Sequence, residues 1–277
     1  MPNYDFHTHS TVSDGTYTPA ELVAQAAAAG IDVLALTDHD SLLGVAEARS
    51  AAAQYGLRLI PGVEISATWH DKGVHIVGLN VDPGCVALQQ GLRALQERRV
   101  ERARQMAERL ERHGISGVLE AVRARAGAAM LTRTHFAKHL YDLGLGASVR
   151  DAFDRYLARG KPGYVATRWA AMDEAIAWIV AANGAAVIAH PQRYGLSAAG
   201  LRRLMGEFRE AGGTGLEVVS GTAAPGDVQS NAAYARRFGL FASCGSDFHG
   251  PEHGWPKLGR LPSLPAGLVP VWTQWEA

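Results

Sequence analysis

Histidines and acidic residues recur in short, regularly spaced groups along this sequence. His7 and His9 are two residues apart, and Asp5 precedes His7 by the same step. Residues i and i+2 of a β-strand point to one face and lie about 6–7 Å apart along the chain, so both imidazoles could bind one metal ion. Asp5 could orient a histidine from behind the ligands. Asp247 and His249 repeat the spacing, which favours a metal centre over isolated surface histidines.

The segments that carry these groups alternate between predicted strands and helices. Strands are predicted at Asn3–Phe6, Asp32–Leu36, Leu57–Ile60, Val63–Trp69, Val74–Leu79, Ala185–Ala189, Gly215–Val219 and Leu240–Cys244, with a hairpin turn at Asp71-Lys72-Gly73. Helices are predicted near residues 19–29, 44–55, 173–183, 198–211 and 227–238, the first from the capping box that begins at Thr18. This order predicts an α/β fold with a parallel sheet or barrel.

Polar residues follow nearly every predicted strand, which favours a barrel because (β/α) barrels carry their functional groups at the C-terminal ends of the strands. These groups are His7-Thr8-His9, Thr37-Asp38-His39-Asp40, Glu64, His75, His190-Pro191, Ser220 and Ser246-Asp247-Phe248-His249. Residues 85–161 predict helices only. We therefore expect a barrel domain from residues 1–84 and 162–277, and a helical insertion at 85–161 that serves as a substrate lid.

Composition narrows the class of protein. The chain has 277 residues, of which 47% are hydrophobic and 19% charged, as expected of a folded domain. Lys+Arg and Asp+Glu both number 27, so long-duplex nucleic acid binding is not expected and short anionic substrates are favoured. Cys85 and Cys244 form no CxxC motif, which excludes a thiolate zinc site and fits a reducing cytoplasm. The apolar stretch 175–189 is too short to span a membrane, and no signal peptide is visible.

The motifs together resemble the PHP (polymerase and histidinol phosphatase) superfamily. They are Asp5-x-His7-x-His9, Ser13-Asp14-Gly15, Thr37-Asp38-His39-Asp40, Gly62-Val63-Glu64, His75, Ala189-His190-Pro191 and Gly245-Ser246-Asp247-Phe248-His249, in the order of that family. Two segments of the insertion, Arg133-Thr134-His135-Phe136-Ala137 and Gly160-Lys161-Pro162-Gly163-Tyr164-Val165, resemble its nucleotide phosphoesterase branch. That branch includes 3′,5′-bisphosphonucleoside phosphatases and a 5′-to-3′ exoribonuclease.

The resemblance implies a distorted seven-stranded (β/α) barrel, TIM-like, with a trinuclear metal centre. It assigns the first metal to His7, His9, Glu64 and Asp247, the second to Glu64, His75 and His190, and the third to Asp14, His39 and His249. Six imidazoles and three carboxylates without a thiolate suit divalent Mn²⁺, Fe²⁺ or Zn²⁺, and we expect Mn²⁺. Three divalent ions exceed the charge of three carboxylates by three, which favours an anionic substrate.

The expected reaction is hydrolysis of a nucleotide phosphate monoester. A metal-bridging hydroxide, formed because bound metal lowers the pKa of water to about 7, would attack phosphorus in line. The predicted catalytic residues are His39, Glu64, Asp247 and His249. His39 or His249 could protonate the leaving oxygen, and the sequence leaves that choice open.

Basic residues of the insertion are the candidates for substrate binding. Arg98, Arg102, Gln105 and Arg109 share one stripe of the long helix, which is either a clamp over the site or a solvated face paired with glutamates. Arg133 and Lys161 have few acidic neighbours, and Arg133 begins a helix whose free N–H groups could bind an anion. We expect Arg102, Gln105, Arg133, Thr134 and Lys161 to hold a second phosphate, as a bisphosphonucleoside requires.

Three other functions compete with this interpretation. Histidinol-phosphate phosphatase shares the metal motifs but not the Arg133 and Lys161 segments. Amidohydrolase-type cleavage of a C–N bond typically uses a carboxylated lysine on a barrel strand, and Lys138 and Lys161 lie in the insertion. A metal-binding regulatory PHP module, like those attached to polymerases, would be expected to lack some of the nine ligands, all of which are present here.

Overall fold

The computed structural model describes residues 2–127, 129–251 and 257–276. Eight strands are found in these ranges: β1 (Tyr4–Asp5), β2 (Val33–Leu36), β3 (Arg58–Trp69), β4 (Lys72–Leu79), β5 (Ala170–Ala171), β6 (Ala185–Ile188), β7 (Gly215–Ser220) and β8 (Phe241–Gly245). Nine α-helices accompany them: α1 (Pro19–Ala28), α2 (Val45–Tyr55), α3 (Val86–Glu111), α4 (Val118–Ala126), α5 (Arg133–Asp142), α6 (Val149–Tyr156), α7 (Met172–Ala181), α8 (Ala198–Glu210) and α9 (Pro225–Phe238).

Seven strands form one barrel wall in the order β1-β2-β3-β4-β6-β7-β8, with β5 paired to β3 outside this path. The first and last strands meet through the backbone. Phe6 N–H donates to Cys244 O at 3.0 Å, and Asp247 N–H donates to His7 O at 2.8 Å. The α/β barrel expected from the sequence is therefore confirmed, and the chain brings its two ends together at one seam.

The β3–β4 hairpin distorts the barrel, because β4 runs antiparallel to both of its neighbours, β3 and β6. β3 is one continuous strand through Pro61 and Gly62, where the sequence predicted two strands. The hairpin turn is His70–Asp71 rather than Asp71-Lys72-Gly73, since Trp69 pairs with Lys72. In an antiparallel strand the start, and not the end, lies beside the C-terminal ends of its neighbours. His75 consequently reaches the site from near the start of β4, which corrects its predicted place at a strand end.

The helical segment between β4 and β5 has its own core. Ala103, Met106 and Leu110 of α3 pack there with side chains of α4, α5 and α6, including Phe136 and Leu140. The first half of α3 belongs instead to the barrel core through Leu88, Leu92 and Leu95. At Gly91 this helix approaches Trp178 of α7 so closely that a Cβ would lie 2.4 Å from the indole ring. α3 therefore serves as one rigid connection between the barrel and the insertion.

The two parts of the molecule carry opposite charge. Residues 85–161 contain 15 Lys and Arg against 8 Asp and Glu, whereas the rest of the chain contains 12 against 19. The net charge of zero for the whole chain is therefore the sum of a positively charged insertion and a negatively charged barrel. Among the helices that the structure describes, none is long and apolar enough to cross a membrane.

Candidate metal centre

The metal-binding side chains converge at one end of the barrel. Three groups have candidate donor atoms within 4.8 Å of one another: His7, His9, Glu64 and Asp247; His9, Asp14, His39 and His249; and His39, Glu64 and His75. The ninth predicted ligand, His190, places Nε2 at 3.0 Å from Glu64 Oε1. All nine residues that the sequence singled out as ligands therefore meet at one place.

Continuation of the backbone ladder past the strand ends positions most of these side chains. Thr8 pairs with Phe248 in parallel, so that His7 and His9 lie beside Asp247 and His249 across the seam. His39 follows β2 and pairs with Glu64 of β3 in the same way. The i, i+2 spacing in the sequence thus becomes two facing pairs of ligands.

Glu64 is the centre of the cluster. Its Oε1 lies 2.7 Å from His75 Nδ1, and its Oε2 lies 2.7 Å from His39 Nδ1. Nε2 of both His7 and His9 is 3.4 Å from the same carboxylate. A buried carboxylate with imidazoles around both oxygens has the position required to bridge two metal ions. His39 lies in the group of Glu64 and His75 as well as in that of Asp14, whereas the sequence placed it with Asp14 and His249 alone.

The donor atoms fit metal ions because several of them lie close to another predicted ligand without forming a hydrogen bond. Buried, and without a hydrogen bond among the described residues, are His7 Nε2, His9 Nε2, Asp14 Oδ1, His39 Nδ1, Glu64 Oε2 and His190 Nδ1. Buried polar atoms in folded proteins nearly always have partners, and each exception needs an explanation. A set of imidazole and carboxylate donors without thiolate is the set that binds divalent first-row metals.

Burial and the neighbouring charges determine the ionisation of the cluster. Burial opposes ionisation of Asp14, Glu64 and Asp247, yet the surrounding imidazoles hold the pKa of all three carboxyls well below the usual range. Burial and the charge of His249 lower the pKa of His9 to about 3, so that its imidazole is neutral. Burial acts against His249 too, but Asp14 and Asp247 raise its pKa to about 9. Anionic carboxylates and a neutral His9 are the forms that bind metals.

Two cationic side chains of the insertion lie close to each other, and one of them, Arg133, interacts electrostatically with Asp14 of the cluster. Arg102 of α3 has a buried Nε without a hydrogen bond among the described residues, and its guanidinium packs 5.3 Å from the Trp169 ring. Arg133 is the first residue of α5 and packs 5.2 Å from the Phe153 ring. Burial and nearby positive charges lower the pKa of both arginines. Cations packed together in this way favour an anion between them.

The remaining predicted substrate contacts lie around this pair. Thr134 follows Arg133 on α5, and Lys161 is exposed in the turn that leads back from α6 towards the barrel. Gln105 donates to Glu101 Oε1 at 2.6 Å, and lines with Arg102 a groove of about 480 Å³ along α3. The arginine stripe of α3 is not a fully solvated face. Arg98 donates to Arg168 O, and Arg109 donates to Pro162 O.

Comparison with known proteins decides the family. The PHP domain family matches residues 5–187, about two thirds of the chain. The chain is a member of the PHP domain family. It is 47% identical to a 3′,5′-nucleoside bisphosphate phosphatase from Chromobacterium violaceum, over all of this chain and 98% of that protein. It is 45% identical to the 5′-3′ exoribonuclease Rnm of Escherichia coli, over 99% of this chain and 94% of that protein.

A solved structure shows the same fold. The sulfate-bound structure of an amidohydrolase from Chromobacterium violaceum superposes with a TM-score of 0.94 at 46% identity, covering 98% of this chain and 95% of that one. The resemblance inferred from the motifs is thereby confirmed.

The carboxylates that support the ligands of this PHP domain are only partly those expected. Asp5 Oδ1 accepts from the backbone N–H of His7 and of Ser246, and burial raises its pKa to about 6. The carboxylate on the His7 imidazole is instead Glu217 of β7, whose Oε1 lies 2.7 Å from His7 Nδ1. Asp5 therefore supports the backbone of His7 through Oδ1 and not the imidazole ring as expected, and its Oδ2 has no hydrogen bond among the described residues. A single acid within the apolar run Gly-Leu-Glu-Val-Val is the signal that could have revealed Glu217.

The contacts of two further charged residues of the PHP domain were not predicted from the sequence. Arg193, in the turn after β6, contacts Asp247 Oδ2 and donates to Thr222 Oγ1. Asp38 accepts from the Ser10 and Ser13 hydroxyl groups, each at 2.6 Å, and Ser13 in turn lies 3.4 Å from His9 Nδ1. Neither arrangement follows a spacing rule, since each depends on which loops the barrel brings together.

Proposed function

We propose that this protein hydrolyses the 3′-phosphate of 3′,5′-bisphosphonucleosides, giving a nucleoside 5′-phosphate and phosphate. The observation that carries the proposal is the position of Arg102 and Arg133, partly buried cations, the second of which interacts electrostatically with Asp14 of a cluster able to hold several divalent ions. The two sites together suit a substrate with two phosphates. The phosphatase from Chromobacterium violaceum, identical at 47% of positions, supports the same substrate class.

The proposed cofactor is three divalent ions, with Mn²⁺ as the physiological metal. The first would be held by His7, His9, Glu64 and Asp247, the second by Glu64, His75 and His190, and the third by Asp14, His39 and His249. When bound, such ions lower the pKa of a water molecule and neutralise charge on phosphoryl oxygens. A cytoplasmic location is also part of the proposal, supported by the two free cysteines, Cys85 and Cys244.

The protein's own groups orient the substrate. Arg133 and Arg102 bind the phosphate that is not hydrolysed, and Lys161 and Thr134 add charge and hydrogen bonds at its edge. Binding of this phosphate places the phosphate that is hydrolysed over the cluster and so reduces the entropic barrier to reaction. The leaving oxygen would take its proton from His39 or His249, whichever is not committed to metal; their side chains are 12% and 19% exposed.

A second candidate is 5′-to-3′ exonucleolytic trimming of short RNA. It is favoured by the 45% identity to exoribonuclease Rnm and by the cationic insertion. The chemistry would be the same, with the 3′-oxygen of the first nucleotide as the leaving group and the phosphate kept by the remaining chain as its new 5′-end. Arg102 and Arg133 would then hold the 5′-phosphate of the first nucleotide.

One assay separates these functions from the alternatives. The Mn²⁺-supplemented protein is given 3′,5′-bisphosphoadenosine, histidinol phosphate or a short 5′-phosphorylated RNA, and the released phosphate or mononucleotide is measured. We expect turnover of bisphosphoadenosine, and a Glu64→Gln variant is the inactive control. Fast turnover of histidinol phosphate alone would contradict the proposal. No turnover of any of the three by metal-loaded protein would favour a regulatory module.

A further inference from the structure

Glu217 contacts two predicted metal ligands that follow different strands of the barrel. Its side chain is 2% exposed, in the middle of β7. Oε1 lies 2.7 Å from the imidazole Nδ1 of His7, and Oε2 accepts the backbone N–H of His190 at 2.6 Å. A carboxylate buried so completely is rare in proteins unless its oxygens are paired, and here both are.

The contact with His190 holds a strained backbone. His190 has φ 25° and ψ 60°, a conformation that a residue with a side chain adopts at a cost. Such a conformation persists where surrounding bonds fix it, and the short bond from His190 N–H to Glu217 is one of them. The conformation turns the His190 ring so that Nε2 lies 3.0 Å from Glu64 Oε1.

The neighbouring strand leaves room for this arrangement. A Cβ on Gly245 of β8 would lie 2.2 Å from the Cβ of His7 and 2.8 Å from Glu217 Oε1. Both distances are far below van der Waals contact. The close approach of His7 and Glu217 therefore depends on a glycine at position 245.

We propose that Glu217 is the positioning residue that couples the first and second metal positions. By accepting the Nδ1–H of His7 it leaves Nε2 as the ring's ligand atom, and by holding His190 N–H it fixes the second imidazole. Carboxylates in this role fix the tautomer and raise the basicity of a ligating histidine. The inference rests on the metal centre of the proposed function, but it concerns a residue that binds neither metal nor substrate.

The test is a titration of chelator-treated protein with Mn²⁺, followed by the EPR signal of free Mn²⁺, without substrate. Loss of such a supporting carboxylate typically weakens metal binding about 10- to 100-fold, and we expect this for Glu217→Gln. Glu47→Gln is the matched control, because Glu47 also accepts a backbone N–H, from Ala20, but between α1 and α2. Gly245→Ala should reproduce the weaker binding while every ligand is retained.

A second measurement separates positioning from general stability. The rise in melting temperature on adding Mn²⁺ compares each variant with itself, so a loss of stability common to both states cancels. Glu217→Gln should show a smaller rise than the wild type and Glu47→Gln an equal one. An unchanged Mn²⁺ affinity and an unchanged rise in Glu217→Gln would overturn the inference. If the wild type itself bound no divalent ion, the proposed metal centre would fail instead.

Discussion

Arg102 and Arg133 form the most informative pair of side chains outside the metal cluster. The positive charge of Arg133 is the second cause, after burial, of the lowered pKa of Arg102. Charge-assisted hydrogen bonds to phosphate would relieve this repulsion, and each contributes more than a neutral hydrogen bond. These two residues therefore distinguish binding of the second phosphate from the chemistry at the metals.

Replacement of Arg133 tests that distinction. Loss of a charge-assisted hydrogen bond costs about 1.5–3 kcal/mol, so Arg133→Ala should lower kcat/KM on a bisphosphonucleoside by roughly 10- to 150-fold. A simple phosphate monoester should lose only a few-fold, and metal content should stay unchanged. Arg133→Lys should recover part of the loss, because an ammonium cannot make the planar two-pronged contact. Arg123→Ala, an exposed arginine of α4, is the control. Equal losses on both substrates would exclude the clamp.

Replacement of individual ligands tests the number of metals. Glu64 touches imidazoles from several strands, so Glu64→Gln should abolish activity and remove more than one ion per chain. Asp14 pairs with His39 and His249, which are the other ligands proposed for the third ion, so Asp14→Asn should remove mainly that ion. Metal content is measured by plasma emission on purified protein. A Glu64→Gln variant that kept three ions and wild-type turnover would exclude the trinuclear assignment.

Among the contacts between secondary-structure elements, those that attach α3 to the barrel bear most directly on the site. Arg99 is 4% exposed and donates through Nε to Asp40 Oδ2 at 2.6 Å and through its terminal nitrogen to Ser66 Oγ at 2.7 Å. Asp40 follows the predicted ligand His39 directly. Gln96 of α3 also donates to Asp40 O. The helix that carries the insertion is thus bonded to the loop that carries a ligand.

Removal of Arg99 should weaken the contact between α3 and the loop that carries His39, and so destabilise the fold. Breaking a buried ion pair by deleting one partner typically costs about 3–5 kcal/mol, because the other charge stays buried and unpaired. Arg99→Met should lower the free energy of unfolding by about that amount in urea denaturation. Arg104→Met is the control, since Arg104 pairs with Glu101 and Glu108 on the exposed face of the same helix. Equal destabilisation by the two variants would show that the buried pair has no special role.

Some elements of this fold follow from local sequence and others depend on distant contacts. The ends of α1 and α2 were predictable within about a residue, because a capping box begins the first and Gly56 ends the second in a left-handed conformation. The antiparallel pairing of β3 with β4 was predicted by the hairpin turn, whereas the continuity of β3 through Pro61 and Gly62 was not, because these residues usually interrupt a strand. The convergence of the nine predicted ligand residues was predictable, because the spacing of His7 with His9 and of Asp247 with His249, together with the family resemblance, pointed to one site. Glu217, Arg193 and Arg99 were not, because their partners are distant in sequence.

Charge separation is the main feature of the whole molecule. The cationic insertion faces a barrel end rich in buried carboxylates, and the cluster at that end contains donor atoms without hydrogen-bond partners among the described residues. Divalent ions bound there would stabilise the folded state over the unfolded one, since the complete ligand set exists only in the fold.

Removal of metal should therefore lower thermal stability. A ligand at 100 times its dissociation constant stabilises the folded state by about 2.7 kcal/mol per site, which corresponds to a shift in Tm of about 5–10 °C for a domain of this size. EDTA should lower the Tm by at least this amount, and added Mn²⁺ should restore it. The measurement is differential scanning calorimetry at fixed ionic strength. A Tm unaffected by chelator would contradict a resident metal centre.

The seam between β1 and β8 has a consequence for how the protein is made. Asp5 and Ser246 meet across 241 residues of chain, and Asp247 and His249 lie beyond the last barrel strand. A ribosome delivers His7 and His9 first and those two ligands about 240 residues later. Synthesis proceeds at roughly 5–20 residues per second, so some tens of seconds pass between synthesis of the first histidines and completion of the cluster. Metal acquisition is therefore a late event in biogenesis, and a nascent chain stalled before β8 carries histidines without the ligands that complete their site.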